Sequence, residues 1–337
     1  MGNRDMHRAK KNKNDEFYTQ INDIEKEVLK YKDQFKDKVV YLNCDDPMYK
    51  NIDGEMEIHK DGSHFWNFFY LQFERLGLKK LISTHYSEED PTYKLEYTGG
   101  GIENVVKTNL KQNGDFRSDE SIECLKEADI VCTNPPFSLF REYVAQLIEY
   151  NKKFLIMGNN NAITYKEIFP LIKENKMWLG YHANKTVEFK LPNHYEKWNR
   201  IDEDTTKYGK VPAISWFTNM DLEKRHEDIL LYKDYYGSEE NYPKYDNYDA
   251  IEVNKVKDIP RDYEGVMDVP ITFLTKYNPK QFQIIKFRKG EDNKDLSING
   301  RTPYFRILIK NKNPKLKKEN KMELLFNNDK KREIKNE

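Results

Sequence analysis

Short apolar runs interrupt an otherwise polar chain, and their period alternates between strand and helix. Val39-Val40-Tyr41-Leu42 is a continuous apolar run inside Lys38 to Asn43 and reads as a buried strand. Phe65, Phe68, Phe69, Phe73 and Leu76 then recur at helical spacing, which makes most of them core residues of a helix over 65–76. Leu78 to Thr84 predicts a second strand, Ile130-Val131-Cys132 a third and Phe154 to Met157 a fourth. An acidic helix-like stretch, Ser118 to Glu127, precedes the third strand, and amphipathic Leu139 to Tyr150 follows it. Ile24, Val28, Leu29 and Tyr31 place a further helix over Ile21 to Phe35, and another is expected over Tyr165 to Asn175. Short strands are expected at Met177 to Tyr181 and Ala213 to Phe217. This alternation, running to about residue 220, predicts an α/β doubly wound, Rossmann-like sheet.

Two segments depart from the alternation. Residues 88–113 form a polar excursion containing Thr98-Gly99-Gly100-Gly101, read as an insertion or a hairpin rather than a phosphate loop. From residue 221 to 300 the texture is rich in Tyr, Asp and Pro, with scattered apolar runs at Val269 to Leu274 and Phe282 to Phe287. A closing strand is expected within Tyr304 to Lys310. The expected divisions are a basic arm over 1–15, a first domain over 16–220, a less regular second module over 221–310 and a polar tail over 311–337.

The third strand ends abruptly in Asn134-Pro135-Pro136-Phe137. Consecutive prolines continue neither a ladder nor a helix interior, and a residue before proline is held extended. Asn134 is therefore expected at the strand's carboxyl end, pointing outward, with Phe137 at the mouth of the next helix. An amide oxygen, a proline carbonyl and a ring then converge on a space suited to a planar ligand bearing an exocyclic amine. Read alone, the tetrapeptide is also compatible with a plain Pro-Pro turn between a strand and a helix, with Asn134 as a turn or cap residue. Its strand–site–helix–strand setting places it where open parallel sheets bind ligands.

Composition narrows the classes. Formal net charge is +0, so only a local basic surface could favour nucleic acid. Tyr and Phe are abundant, at 23 and 18 residues, which suits stacking on a heterocycle. Cys44, Cys124 and Cys132 form no C-x-x-C pair, and no H-E-x-x-H occurs, so no metal or disulfide framework is expected. No dinucleotide or P-loop glycine pattern is present. No apolar run approaches a membrane span or signal peptide. A soluble, intracellular protein without membrane association is expected.

With the tetrapeptide placed, the chain resembles the EcoRI-type adenine-specific DNA methyltransferase family of restriction–modification systems. The matching stretches are Asp15 to Gln20, Val39 to Pro47, Asn113 to Arg117, Ala128 to Asn161, Asp262 to Leu274 and Tyr304 to Lys310. The resemblance implies a class I methyltransferase fold with a carboxyl-terminal target-recognition region and S-adenosyl-L-methionine as cofactor. It gives Asn134, Pro135, Pro136 and Phe137 the catalytic role of holding the target amine. It places Phe17, Tyr18 and Thr19 beside the cofactor, and Asn43, Cys44, Asp45 and Asp46 where a Gly-rich cofactor loop usually lies. Asp115 and Phe116 match the position that meets the cofactor's adenine, by amine and by ring face. The acidic ribose ligand that normally ends the second strand is replaced here by Thr84-His85-Tyr86. Asn159 to Asn161 read either as base-pocket residues or as a plain polar turn.

The implied activity is methylation of adenine N6 in double-stranded DNA, with the base flipped out of the helix. The implied partner is duplex DNA, with a cognate restriction endonuclease acting on the same site without a stable complex, unless the enzyme is an orphan or belongs to a mobile element. The same tetrapeptide also fits cytosine N4, RNA or protein-glutamine substrates. A rival of another class is a non-catalytic nucleic-acid-binding protein with a decayed methyltransferase fold, which the missing glycines would explain.

Overall fold

The computed structural model describes residues 18–43, 45, 51–52, 55–56, 64–88, 91–191, 198–203, 205–288, 296–300 and 306–315. The basic arm, Phe17, Cys44, Asp46, the Tyr18 side chain and the tail beyond residue 315 lie outside them. The described residues fall into two compact units, one within 1–222 and one within 223–337.

In the first unit the apolar runs become strands β1 (Tyr18–Thr19), β2 (Val39–Leu42), β3 (Lys80–Thr84), β4 (Tyr93–Tyr97), β5 (Val106–Asn109), β6 (Ile130–Thr133) and β7 (Lys153–Asn159). They continue as β8 (Trp178–Leu179), β9 (Lys185–Leu191), β10 (Arg200–Ile201) and β11 (Lys207–Thr218). One large mixed sheet joins them in the order β1-β9-β11-β7-β6-β2-β3-β4-β5, with β8 and β10 also pairing with β11. Only the centre is parallel: β7 pairs with β6, β6 with β2 and β2 with β3. Every residue of β2 and β6 is buried, as expected for strands covered on both faces.

The doubly wound expectation therefore needs correction at both sides of the sheet. Residues 88–113 supply β4 and β5, an antiparallel hairpin added outside β3. On the far side β11 runs antiparallel to β7, and β9 antiparallel to β11.

Helices α1 (Ile21–Val28), α2 (His64–Leu71), α3 (Phe73–Leu76), α4 (Asp119–Glu127), α5 (Phe140–Glu149) and α6 (Phe169–Lys173) complete the unit. Most are shorter than their apolar periodicity predicts. The 65–76 stretch breaks at Gln72, and α3 ends at Gly77 with φ +62, a left-handed cap that glycine takes without strain. The expected helix over 165–175 contracts to α6, preceded by a 3-10 turn over Asn160–Thr164. Helix α4 starts at Ser118, whose hydroxyl accepts from Ser121 N at 3.3 Å, with Asp119 and Glu120 in the first turn. The aromatics of α2 and α3 are core: Phe65, Trp66, Phe68, Phe69 and Phe73 are all buried.

The second unit holds β12 (Ala250–Glu252), β13 (Val266–Pro270), β14 (Phe282–Arg288) and β15 (Arg306–Asn311) in the order β12-β13-β15-β14. The pair β12–β13 is parallel and the others are antiparallel.

Candidate active site

The chain runs from β2 outward to β3, then returns to lay β6 on the other side of β2. That reversal opens a crevice between the carboxyl ends of β2 and β6, the position where open α/β sheets take ligands. Asn43 and Asp45 follow β2, and Asn134 follows β6, so both flank the crevice. The carboxamide oxygen of Asn134 is buried, as is Pro135. Helix α5 begins only at Phe140, after a turn in which Leu139 N donates to Pro136 O at 2.9 Å. Phe137 is thus on the turn rather than the helix, half-buried and packed against the main apolar core.

Polar groups tie the crevice floor together. Asn43 Nδ2 donates to Tyr41 Oη at 2.7 Å and lies 3.2 Å from Thr84 Oγ1. Tyr41 Oη and Thr84 Oγ1 are 3.0 Å apart. Thr133 Oγ1 reaches the Asn43 carbonyl at 3.1 Å and also the Asp45 carboxylate. The ends of β2, β3 and β6 are thereby locked to each other by side chains where a Gly-rich loop would use backbone. Tyr41, Thr84 and Thr133 went unassigned at the sequence level. A polar residue closing each of three adjacent buried strands was the available signal.

Thr19 of β1 is buried, and its hydroxyl lies 3.3 Å from Met157 Sδ on β7. Register places Thr19 opposite Phe189 at the far side of β9, four ladders from β6.

Asp115 and Phe116 occupy a turn before α4, not a strand end. Gly114 brings that turn to the carboxyl edge. Its φ is +75, and a Cβ there would stand 2.1 Å from the His85 carbonyl just beyond β3, so only glycine permits the approach. Arg117 grips Asp115 with its backbone N, Nε and Nη2, each at 2.8 Å. These charge-assisted bonds hold the Asp115 carboxyl below the usual carboxylate range. The Arg117 guanidinium also lies 4.9 Å from the centroid of the buried Phe116 ring, which meets Tyr143 edge-on. The basic residue beside Asp115 and Phe116 is part of their geometry, although sequence reasoning assigned it no role.

Asn159 closes β7, and its side chain accepts from Asn161 N at 2.9 Å. Asn160 Nδ2 donates to Asn184 Oδ1 at 2.7 Å, and Asn160 Oδ1 meets Ser215 Oγ. The polar turn is therefore bonded to the strands beside it. Cys132, inside β6, is fully buried, and burial pushes its thiol up, which leaves it inert as a nucleophile. Among the described residues no cluster of His, Cys, Asp or Glu could hold a metal ion, and no helix is long and apolar enough to cross a membrane.

The donor set suits a ligand that carries amines. Carboxylates at Asp45 and Asp115 can accept from amines, and Gly114 lets the Asp115 turn come up against the His85 carbonyl just beyond β3.

Comparison with known proteins supplies the family. The model described as adenine-specific methyltransferase EcoRI matches residues 5–312. The chain is 52% identical to the Type II methyltransferase M.EcoRI of Escherichia coli, over 92% of this chain and 97% of that protein. It is 44% identical to the Type II methyltransferase M.MgeORF184P of Mycoplasma genitalium, over 90% and 98% respectively. It is 42% identical to the Type II methyltransferase M.MpnI of Mycoplasma pneumoniae, over 83% and 84%. No solved structure matches the chain significantly.

Proposed function

The chain belongs to the EcoRI family of adenine-specific methyltransferases, and from that premise we propose that its crevice methylates N6 of an adenine flipped out of duplex DNA. It is an adenine-specific DNA methyltransferase of the restriction–modification type. The observation that carries the assignment of the site is Asn134-Pro135-Pro136-Phe137 closing β6 at the topological switch point.

S-adenosylmethionine, when bound, supplies an electrophilic methyl group. Asp45, Asn43 and the Asp115–Phe116 turn are the residues to hold it, with Thr19 nearby and Phe17, Tyr18, Cys44 and Asp46 as further members implied by sequence. Adenine's exocyclic amine is a weak nucleophile because its lone pair is delocalised into the ring. The Asn134 carboxamide oxygen and the Pro135 carbonyl accept its two hydrogens, favouring a pyramidal nitrogen with a localised lone pair. The prolines fix those acceptors before the base arrives, so little reorganisation is left for the transition state. Phe137 offers a ring face to the purine. No strong general base is required, since the methylated amine is acidic and loses its proton afterwards.

Residues 16–220 are the catalytic part of a Rossmann-like class I fold, and residues 221–310 the target-recognition part. A cognate endonuclease cutting the same unmodified site, and a cytoplasmic location, follow from this reading. Single-molecule sequencing of DNA from a host making the chain tests it. N6-methyladenine at one short sequence motif is expected. N4-methylcytosine, or no DNA modification alongside measured cofactor binding, overturns it.

A further inference from the structure

Helix α5 begins at Phe140, directly after the turn that carries Phe137, and its first turn points three ways. Phe140 is buried in the core. Glu142 leans to one flank, where Arg117 Nη1 donates to its carboxylate at 3.1 Å, so this flank faces the Asp115–Phe116 turn. Arg141 leans to the other flank. Its guanidinium lies 5.4 Å from the centroid of the Tyr165 ring and 3.8 Å from Glu167 Oε1. Tyr165 follows the 3-10 turn that leaves β7, so Arg141 joins the helix that leaves the tetrapeptide to the segment that closes β7. A long side chain on a helix leans back over the preceding turn, which for Arg141 is the turn of the tetrapeptide.

The two arginines that flank this helix end differ in how they are held. Arg117 commits Nε and Nη2 to Asp115 and Nη1 to Glu142, all within hydrogen-bond distance. Arg141 has only the looser Glu167 contact, beyond hydrogen-bond reach, and its side chain is 48% exposed. Glu167 moreover serves two cations, since Lys166 Nζ lies 3.9 Å from the same oxygen with its side chain 89% exposed. One carboxylate against two cations leaves positive charge in surplus at this place. Ion pairs this loose and this exposed contribute little, so an arriving anion displaces them at small cost. The Tyr165 ring meanwhile sets the plane of the guanidinium before any ligand arrives.

The chemistry of the reaction supplies the anion. An adenine held against Asn134 and Phe137 stays joined to its strand, and flipping turns the nucleotide about its phosphodiester backbone. Contacts to the adjoining phosphates fix the position of a nucleotide without reading its base. The tetrapeptide itself contains no basic residue, and the first one after it is Arg141. A guanidinium also matches two phosphate oxygens at once, which an ammonium does not.

We propose that Arg141, with Lys166 beside it, binds a phosphate next to the flipped adenine and so positions the nucleotide for methyl transfer. The inference rests on the DNA methyltransferase reading of the crevice. It adds to that reading a substrate contact outside the tetrapeptide and outside residues 221–310. Glu167 keeps the two cations together until DNA arrives, and then gives them up to the phosphate.

The test uses the full chain and a duplex carrying the motif mapped by sequencing. Copies of that duplex replace one phosphate, on either side of the target adenine, by an uncharged methylphosphonate. In fluorescence anisotropy Arg141→Ala should raise the DNA Kd at least about tenfold, and Arg141→Lys less, because it keeps the charge without the fork. Arg141→Ala together with Lys166→Ala should reduce the slope of log K against log salt by about 1.8. One of the two neutral linkages should weaken wild-type binding by a factor similar to the Arg141→Ala loss. The same linkage should weaken Arg141→Ala itself less than about twofold, since the contact is already gone. Cofactor affinity by calorimetry and the unfolding temperature should stay at wild-type values in all three variants. Wild-type DNA affinity in Arg141→Ala overturns the inference, as do neutral linkages that weaken the variant as much as the wild type, and either result leaves the methyltransferase reading intact. A loss of cofactor affinity in Arg141→Ala and Arg141→Lys overturns it as well, since the cation would then serve the cofactor. If the wild-type protein neither binds nor methylates the duplex, both readings fall.

Discussion

Asn134 and Phe137 are three residues apart, yet their side chains have different physical tasks and their substitutions should be separable. The Asn134 oxygen is held at a buried position by two following prolines, and its proposed role is to accept a hydrogen bond that strengthens as the amine pyramidalises. Asn134→Ala should lower kcat at least about a hundredfold while cofactor affinity by calorimetry stays close to wild type; turnover at the wild-type rate would place the chemistry elsewhere. Phe137 is half-buried against the core, so Phe137→Ala loses packing as well as base stacking. Stacking is worth roughly 1–3 kcal/mol per base. Only the stacking loss should be partly relieved by mispairing the target adenine, which makes it easier to flip. Phe137→Trp keeps a ring face and should retain substantial activity. If mispairing gives Phe137→Ala no advantage over wild type, the ring serves packing alone. Asp115 is a third case. Arg117 already uses three N–H groups on it, so Asp115→Ala removes the proposed cofactor ligand and releases the cation that covers Phe116. Cofactor binding should weaken by about 1.5–3 kcal/mol, and an unchanged affinity would show that the carboxylate serves Arg117 only.

At the level of elements, continuous apolar runs were the readable part. Strands β2, β3, β6 and β7 and helices α4 and α5 stand within a few residues of where their patterns put them, because buried parallel strands and capped helices carry their own signal. Strand β9 was not read, although Val187, Phe189 and Leu191 alternate with polar neighbours as a half-buried strand should. Pro212 hid the outer half of β11, since proline inside an apolar run argues against a strand until a bulge accommodates it. The crevice was legible through its tetrapeptide, whereas the Tyr41–Asn43–Thr84 net depends on three strand ends meeting in space. The same holds for the docking of α1. Glu27 was read only as a helix residue, yet its carboxylate is fully buried and accepts from Tyr31 Oη at 2.9 Å, Tyr181 N at 2.7 Å and His182 N at 2.8 Å. Gly180 is required beside it, because a Cβ there would lie 2.4 Å from the carboxylate. This contact pins the helix that follows β1 to the segment that enters β9. Glu27→Ala should orphan two backbone donors and cost about 3 kcal/mol or more in urea unfolding. Since β1 also pairs with β9, cofactor affinity should fall with it, and a variant that unfolds at the wild-type urea concentration would refute the clamp.

Across the whole molecule, 57 basic and 57 acidic residues cancel, so attraction to DNA has to come from where the cations lie. Affinity should nevertheless fall steeply between low and physiological salt, because phosphate contacts release counterions whatever the net charge. A flat salt dependence would argue for a small or peptide substrate. The second unit has its own electrostatic liability. Asp268 of β13 is fully buried, accepts from Tyr245 Oη and lies 3.7 Å from Arg306 Nε, while its Oδ1 has no hydrogen-bond partner among the described residues. Burial pushes its pKa up to about 7, against the smaller opposing pull of Tyr245 and Arg306. A carboxyl whose folded pKa exceeds its unfolded value binds its proton more tightly when folded. The resulting stability is therefore complete below about pH 4 and is lost as pH rises through about 7. Hydrogen exchange resolved by segment should show β13 and β15 losing protection from pH 5 to pH 8, after correction for the intrinsic exchange rate, while β6 and β7 do not follow. Asp268→Asn keeps an acceptor for Tyr245 but cannot ionise, so it should flatten that dependence and leave β13 as well protected at pH 8 as at pH 5. A wild-type β13 whose protection is independent of pH over this range would mean that Arg306 compensates the buried charge in full.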